Sequence, residues 1–540
     1  MANYNHATET TEASESDHKP TIAMYFGDGL SCEEGDRALI LLKEMLIDKG
    51  VNVARDSDAP VENILFAGCA RTGTIVENRL HWLGEAVQNN QKLGGKLLNV
   101  IITECLAGLD ERFAGGGVSI PDYVRRVANL PPEVKLHLVD VGRLGEDILP
   151  IIMPDAEVKE EDHISRFGIE LTKDIMRKAR KNPEKNPFQE FMPVIIQSGC
   201  ENQCDYCVRN YAHRPSESSP DYDKLVNHIR DNKERTGSLV LQLQGENIGL
   251  FGVDTDGRQR LPDLIRDTDQ MGFVRGDLYN IAPQQFTPEV VDAIRETNIY
   301  DGARINLDIP SERMEQYIHG RAGQRQKIAE GLARIREIHP NFACRSTCMI
   351  GLPGETMEDL DEMLQFCADN DIIMDRFCPY QGHESLPTAK LPDQIPDDKK
   401  VHRVQYATEK SMAMIKEKFE RDLKFKDVEY TVSAVVYDEK IGFTCYTLVS
   451  PWGSVWTNFY DETARKLNVG DKIMCSPWLI SVRQEGTAGY AAGTASIIKA
   501  SILAFPNECH DTEEKSQAYV DRFEKAYGRN QPEEPNESGA

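Results

Sequence analysis

The chain has 540 residues, enough for about three to four domains of ordinary size. Its 62 Lys plus Arg stand against 88 Asp plus Glu, a net charge of −26. That balance disfavours a protein held to nucleic acid or an anionic membrane mainly by a basic surface, and leaves only a local basic groove open. Residues 1–20, MANYNHATETTEASESDHKP, are polar, lack periodicity and carry no apolar stretch of a secretory signal, so they are expected to be disordered. No run of about 18 apolar residues occurs, so no membrane-spanning helix is expected. The expected location is the cytoplasm, where thiols stay reduced. The 13 cysteines then read as metal ligands or core residues rather than disulfides.

Over residues 21–150, short apolar runs (TIAMYF, NILFAG, KLLNVIIT, KLHLVDV) alternate with helical-period stretches such as DRALILLKEMLIDKG. Such alternation predicts an open parallel α/β domain. A linker at 151–187 includes the basic stretch Lys173–Pro187, read as a solvated helix and linker, or else as a strip facing RNA. From 188 to 425 a second alternation begins, with six strand-like runs: MPVIIQS, SLVLQLQ, DLYNIAP, RINLDIP, CRSTCMIGLP and DIIMDRFC. They predict a partial (β/α) barrel. Residues 426–505 turn β-branched and aromatic, with Gly, Asp and Asn at the breaks, which predicts a small antiparallel β-barrel of about five strands. The tail at 506–540 is polar, acidic and expected to be disordered.

The cysteines sharpen this outline. SGCENQCDYC places Cys200, Cys204 and Cys207 in a CxxxCxxC spacing at the end of the first barrel strand. An iron–sulfur cubane takes four thiolates, so three leave one iron open to a further ligand. A structural zinc site would need a fourth ligand, and the nearest, His213, lies beyond Arg209 and Tyr211. Three isolated cysteines, Cys32, Cys69 and Cys105, each follow an apolar run in the first domain, 37 and 36 residues apart. Loops at that edge of an open α/β sheet converge on one crevice, where three thiols could form a second site. Taken singly, each reads as a core residue. Cys344 and Cys348 within CRSTCMI, and the scattered Cys367, Cys378, Cys445, Cys475 and Cys509, read as core as well. His213, His319 and His383 stand in no chemical spacing.

CxxxCxxC, with Tyr206 before the last cysteine, resembles the signature of the radical S-adenosylmethionine enzymes. In that family the thiolates hold a 4Fe–4S cluster whose free iron chelates the cofactor, which is cleaved reductively to a radical that abstracts hydrogen. The resemblance implies that Gly245 and Glu246 in QLQGENIGLFG grip the cofactor's amino group. It also implies that Gly351, Pro353, Gly354 and Glu355 in CRSTCMIGLPGET lie near its adenosine. The same residues read alone are ordinary turns after strands.

With the three N-terminal cysteines and the terminal barrel, the chain resembles the methylthiotransferases over about residues 21–503, their last domain being a β-barrel of the TRAM type. That implies two 4Fe–4S clusters, the second on Cys32, Cys69 and Cys105, and replacement of a C–H by C–S–CH3. The implied partners are a macromolecular substrate and an electron donor such as flavodoxin or ferredoxin, with a monomer expected. The substrate would be a tRNA adenosine near the anticodon or, alternatively, a protein side chain. The stretch 427–499 holds eight acids and six bases and so no RNA-binding field, while Trp452, Trp456, Phe459 and Tyr460 read as base-stacking or core residues. The family's His–Leu–Pro motif here reads Asn306–Leu307–Asp308–Ile309–Pro310–Ser311, a divergence. Another radical reaction on a peptide, or a non-catalytic metal-binding module for RNA, are the rival readings.

Overall fold

The computed structural model describes residues 19–26, 33–54, 59–68, 73–109, 111–114, 117–165, 167–169, 191–200, 202, 204–207, 218–319, 323–424, 426–438, 443–450, 453–460, 467–485 and 496–506. Cys32, Cys69, His213, Trp452 and Cys509 fall outside them, as do the basic stretch 173–187 and nearly all of both tails. The side chains of Cys445, Trp456, Phe459 and Tyr460 fall outside as well. The described residues divide into two compact units, one within residues 1–165 and one from 166 onward, the latter also claiming 73–75.

The first unit is a parallel sheet of five strands: β1 (Thr21–Tyr25), β2 (Asn52–Ala54), β3 (Asn63–Ala67), β4 (Asn99–Thr103) and β5 (Lys135–Val139). Their order is β2-β1-β3-β4-β5. NILFA and NVIIT in β3 and β4 are buried at every position, the continuous apolar pattern of a strand covered on both faces. Ile22, Met24, Leu39, Leu42, Ile101 and Leu149 join strands and helices into one core. At the opposite ends of the strands, polar side chains satisfy one another: Asn99 donates to Asn63 at 2.8 Å, and Asn63 donates to Thr21 O at 2.9 Å. The strand order reverses between β1 and β3, which opens a crevice at the C-terminal ends of those two strands.

The second unit holds six parallel strands side by side in chain order: β7 (Met192–Gln197), β8 (Val240–Gly245), β9 (Arg275–Ile281), β10 (Tyr300–Ile305), β11 (Ala343–Ile350) and β12 (Ile372–Pro379). The helices between them are delimited by local chemistry. Asp221 caps Tyr222–Thr236, which ends on Gly237 in the left-handed region. Thr287 caps Pro288–Glu296, and Thr356 with Asp359 forms a capping box for Met357–Asp369. One set of alternating strand residues (Leu241, Leu243, Leu278, Ile305, Cys344, Cys348) packs with Ile229, Leu264, Ile294 and Leu332 of the helices. The expectation that Cys344 and Cys348 are buried agrees with their placement here.

The layer does not close on itself. Beside β7 lies β6 (Gly168–Ile169), antiparallel, and beside β12 lies β17 (Ser496–Pro506), also antiparallel, through Arg376↔Ile497 and Phe377↔Ser496. β17 belongs to the terminal strands β13 (Val428–Asp438), β14 (Phe443–Ser450), β15 (Gly453–Tyr460) and β16 (Lys472–Glu485). These pair in the order β15-β14-β13-β16-β17, and β15 pairs back onto β17 to close a ring. Four pairings are antiparallel as expected, but the closing one is parallel (Trp456↔Ser501), a departure from a wholly antiparallel ring. An odd number of strands cannot alternate direction all the way around a ring, so one parallel pair is unavoidable. The helix Asp397–Asp422 supplies Val404, Ala407, Ile415 and Phe419 to the same core as Ile480 and Ile498 of the ring.

Candidate metal and cofactor centre

β7 ends on Gln197, and the chain turns through Gly199 at φ +83°, a conformation that favours glycine. Cys200, Cys204 and Cys207 follow on this one loop, each half-buried. Cys207 N–H donates to Cys204 O at 2.9 Å, so the last two cysteines sit in a single tight turn. Burial first, then the neighbouring Cys207 thiol and Asp308, push the Cys204 thiol up to about 12. Without a cation the Cys204 thiol therefore stays protonated, and a metal that binds it must displace that proton.

The loop is braced on three sides. Gln197 accepts from Asn247 N–H at 2.8 Å and donates to Ser198 O and Gly199 O. Asn247 donates to Gln285 at 3.1 Å, and Gln285 exchanges amide contacts at 3.3 Å with Asn202, within the cysteine loop itself. On the second side Tyr206 donates to Asp308 at 3.2 Å and packs against the core cluster that includes Ile309, Leu352 and Tyr380. On the third, Thr388 Oγ1 donates to Asp205 O at 2.9 Å and meets Tyr380 OH at 2.8 Å. Hydrogen bonds contribute about 1 kcal/mol each, and roughly 1.5–3 where the acceptor is a carboxylate such as Asp308, so their effect is to fix position more than to add stability.

The other residues singled out in the sequence surround this loop. Gly245 ends β8, and a Cβ there would lie 2.6 Å from Gln197 O, so strand packing alone requires glycine. Glu246, half-buried, follows it. After β11, Gly351 and Gly354 take φ of +88° and +75°, with Pro353 buried between them. Glu355 is 3% exposed; it accepts from Gly351 N–H at 2.8 Å and pairs with Arg403 at 2.8 Å. Burial raises its carboxyl, against the pull of Arg403 and the Gly351 amide. Its bonds thus bind the loop after β11 to the helix Asp397–Asp422. Asn306, past the end of β10, has a buried Oδ1 with no hydrogen-bond partner among the described residues.

Below this edge, the strand face turned away from the helices is polar. Arg304 pairs with both oxygens of Asp375, at 2.8 and 2.7 Å, over the ring of Tyr279. Arg275 donates to Asp301 at 2.8 Å, and burial still pushes the Asp301 carboxyl up to about 7. Arg345 stands 3.9 Å from Asp277. No sequence motif marked these groups, nor Gln285, Asn247, Thr388 or the contact of Asp308 with Tyr206. For the strand residues the only signal was their alternation; Gln285, Asn247 and Thr388 lie in turns outside the strands.

In the first unit only Cys105 of its three singled-out cysteines is described. It sits in the turn Glu104–Leu106 just past β4, with Glu104 at φ +67°. That turn is stitched to the end of β3: Leu106 N–H donates to Gly68 O at 3.1 Å, and Gly68 N–H to Thr103 O at 3.4 Å. Gly68 immediately precedes Cys69. Among the described residues no three Cys, His, Asp or Glu side chains converge as a single ion requires. A cubane makes a different demand, since each thiolate binds its own iron. The Cys200–Cys207 loop, three thiols wide with an orphan acceptor at Asn306 nearby, fits such a group and an added polar cofactor.

Residues 194–367 match the Radical SAM superfamily model. The chain is 28% identical over 223 residues to the ribosomal protein uS12 methylthiotransferase of Carboxydothermus hydrogenoformans, covering 40% of this chain and 49% of that protein. A tRNA-2-methylthio-N(6)-dimethylallyladenosine synthase of Acidothermus cellulolyticus is 24% identical over 363 residues, 65% of this chain and 66% of that protein. The uS12 methylthiotransferase of Vibrio cholerae is 23% identical over 426 residues, 74% of both. Against the first few such relatives the matched stretch spans about half of their length, 49–58%. Among solved structures, the radical S-adenosylmethionine methyltransferase TsrM of Kitasatospora setae superposes with a TM-score of 0.43 at 12% identity, over 69% of this chain and 77% of that one. The chain thus carries a radical SAM domain and is similar to methylthiotransferases as a divergent relative. Among the described residues, no helix is long and apolar enough to cross a membrane.

Proposed function

We propose that the protein is a radical S-adenosylmethionine methylthiotransferase that exchanges a C–H of a macromolecule for C–S–CH3. The observation that carries this reading is the braced loop of Cys200, Cys204 and Cys207 within the matched radical SAM stretch. Cys32, Cys69 and Cys105, which follow β1, β3 and β4 in the chain, are the proposed second iron–sulfur site. The clusters and S-adenosylmethionine, once bound, would supply radical cleavage and sulfur transfer. The chain's own part is to hold and orient them. Tyr206, Gly245 and Glu246 would help hold the cofactor where it binds the cluster. Gly351, Pro353 and Gly354 shape the loop after β11, with Glu355 holding that loop to Arg403. Asn306 Oδ1 offers an acceptor to a polar hydrogen of cofactor or substrate. In this reading residues 21–150 carry the second cluster, 188–425 the radical chemistry and 426–505, a TRAM-like ring, the substrate contact.

A protein substrate is favoured by the net charge of −26 and by relatives named for a ribosomal protein. A tRNA adenosine is the second reading, supported by the Acidothermus relative. Mass spectrometry of ribosomal proteins and of bulk tRNA nucleosides from a deletion strain tests both. A methylthio mark lost from the protein pool supports the first, and one lost from the nucleoside pool the second. No loss in either pool sinks methylthiolation and leaves a different radical reaction.

A further inference from the structure

Asp308 lies where the sequence departs from the family's motif, and the structure gives that departure a role. Its φ is +55°, the left-handed region, which among non-glycine residues Asp and Asn enter most readily. Backbone bonds on both sides hold it there: Asp308 N–H donates to Thr347 O at 2.9 Å, and Met349 N–H donates to Asp308 O at 2.7 Å. Residue 308 is thereby pinned to β11, and its carboxylate meets Tyr206 OH at 3.2 Å. Tyr206 stands between Cys204 and Cys207, so one hydrogen bond separates the carboxylate from the turn that carries two thiols.

We propose that Asp308 is a positioning residue for the cluster held by Cys200, Cys204 and Cys207, seating the loop through Tyr206 and making that cluster harder to reduce. The inference rests on the radical SAM reading of this loop. Reduction adds one electron to an already anionic group, and a fixed negative charge nearby opposes that addition. Asn in place of Asp keeps an acceptor for Tyr206 and tolerates the left-handed backbone, while removing the charge. Phe in place of Tyr206 does the reverse.

The test uses the full chain carrying Cys69→Ala, to leave one cluster, reconstituted anaerobically with iron and sulfide. A redox titration with a one-electron reductant, read by electron paramagnetic resonance, gives the midpoint potential. Iron loss to a chelator gives retention, and thermal unfolding checks the fold. Asp308→Asn should retain iron and reduce about tenfold more readily, ~59 mV for one electron. Tyr206→Phe should lose iron faster while moving the potential less. An unshifted potential in Asp308→Asn overturns the proposal, as does unchanged retention in Tyr206→Phe. If the Cys69→Ala chain binds no iron that Cys200→Ala removes, the radical SAM reading itself fails, and the proposal with it.

Discussion

The N-terminal sheet and the six-stranded layer are both parallel, both packed with helices, and both carry cysteines just past strand ends. They differ in winding. The first has its order reversed at β1 and β3, and its three candidate ligands follow three separate strands. The second runs in unbroken chain order, and all three of its thiols lie on the one loop after β7. The proposed loop site is encoded within eight consecutive residues; the proposed N-terminal site would exist only once its sheet has assembled. On the proposed reading the cysteine loop would bind iron without waiting for distant strands, whereas the N-terminal site would depend on the register of its whole unit.

The largest expected effect separates the two sites outright. Cys200→Ala should remove all iron bound by the loop and abolish S-adenosylmethionine cleavage, while Cys69→Ala should remove only the other share. Iron counting after reconstitution shows whether the two losses add; a single pool lost to either change would erase the distinction. Next comes stability of the six-stranded layer. Arg304→Ala leaves the half-buried Asp375 unpaired and should cost about 2–3 kcal/mol, read as denaturant midpoint, with the iron of the N-terminal site retained.

The matching change in the first unit is Gly68→Ala. Its Cβ would lie 2.1 Å from Leu106 Cδ1, and Leu106 is fully buried, so overpacking should cost about 1–3 kcal/mol. Here the N-terminal iron should fall and the loop's iron stay. The converse would refute the assembled-site picture.

The smallest effect is a pH slope. Burial pushes the Glu315 carboxyl up to about 6, beside Arg325, from an ordinary value near 4.5. Its protonated form is thus favoured in the fold, so its contribution is present below about pH 4.5 and is lost as pH rises through about 6. Glu315→Gln should flatten that part of the stability profile, measured by thermal unfolding between those pH values.

Much of this was legible in the chain. The six runs from MPVIIQS to DIIMDRFC became β7 to β12, and the five terminal runs became β13 to β17, because each carries enough apolar periodicity to be read alone. β2 and β6, three and two residues long, are too short to show any period. The cysteine loop was legible because its spacing is local. Its braces were not: Tyr206 and Asp308 are 102 residues apart, Asn202 and Gln285 are 83 apart, and Thr388 and Asp205 are 183 apart. Such pairs are made by strand register, which no single segment reveals. Asp308 read only as an altered motif, since the meaning of its carboxylate depends on a tyrosine in another loop.

The pairing of β12 with β17 has a practical consequence for anyone dissecting this chain. A fragment ending after the helix Asp397–Asp422 would bare the outer edge of β12 and strip Ile480 and Ile498 from the shared core. Exposed edges of that kind recruit other chains and aggregate. The strands from Val428 to Pro506 are therefore no detachable accessory, and a chimaera meant to exchange them must carry over the Ser496–Pro506 strand or supply another to lie beside β12.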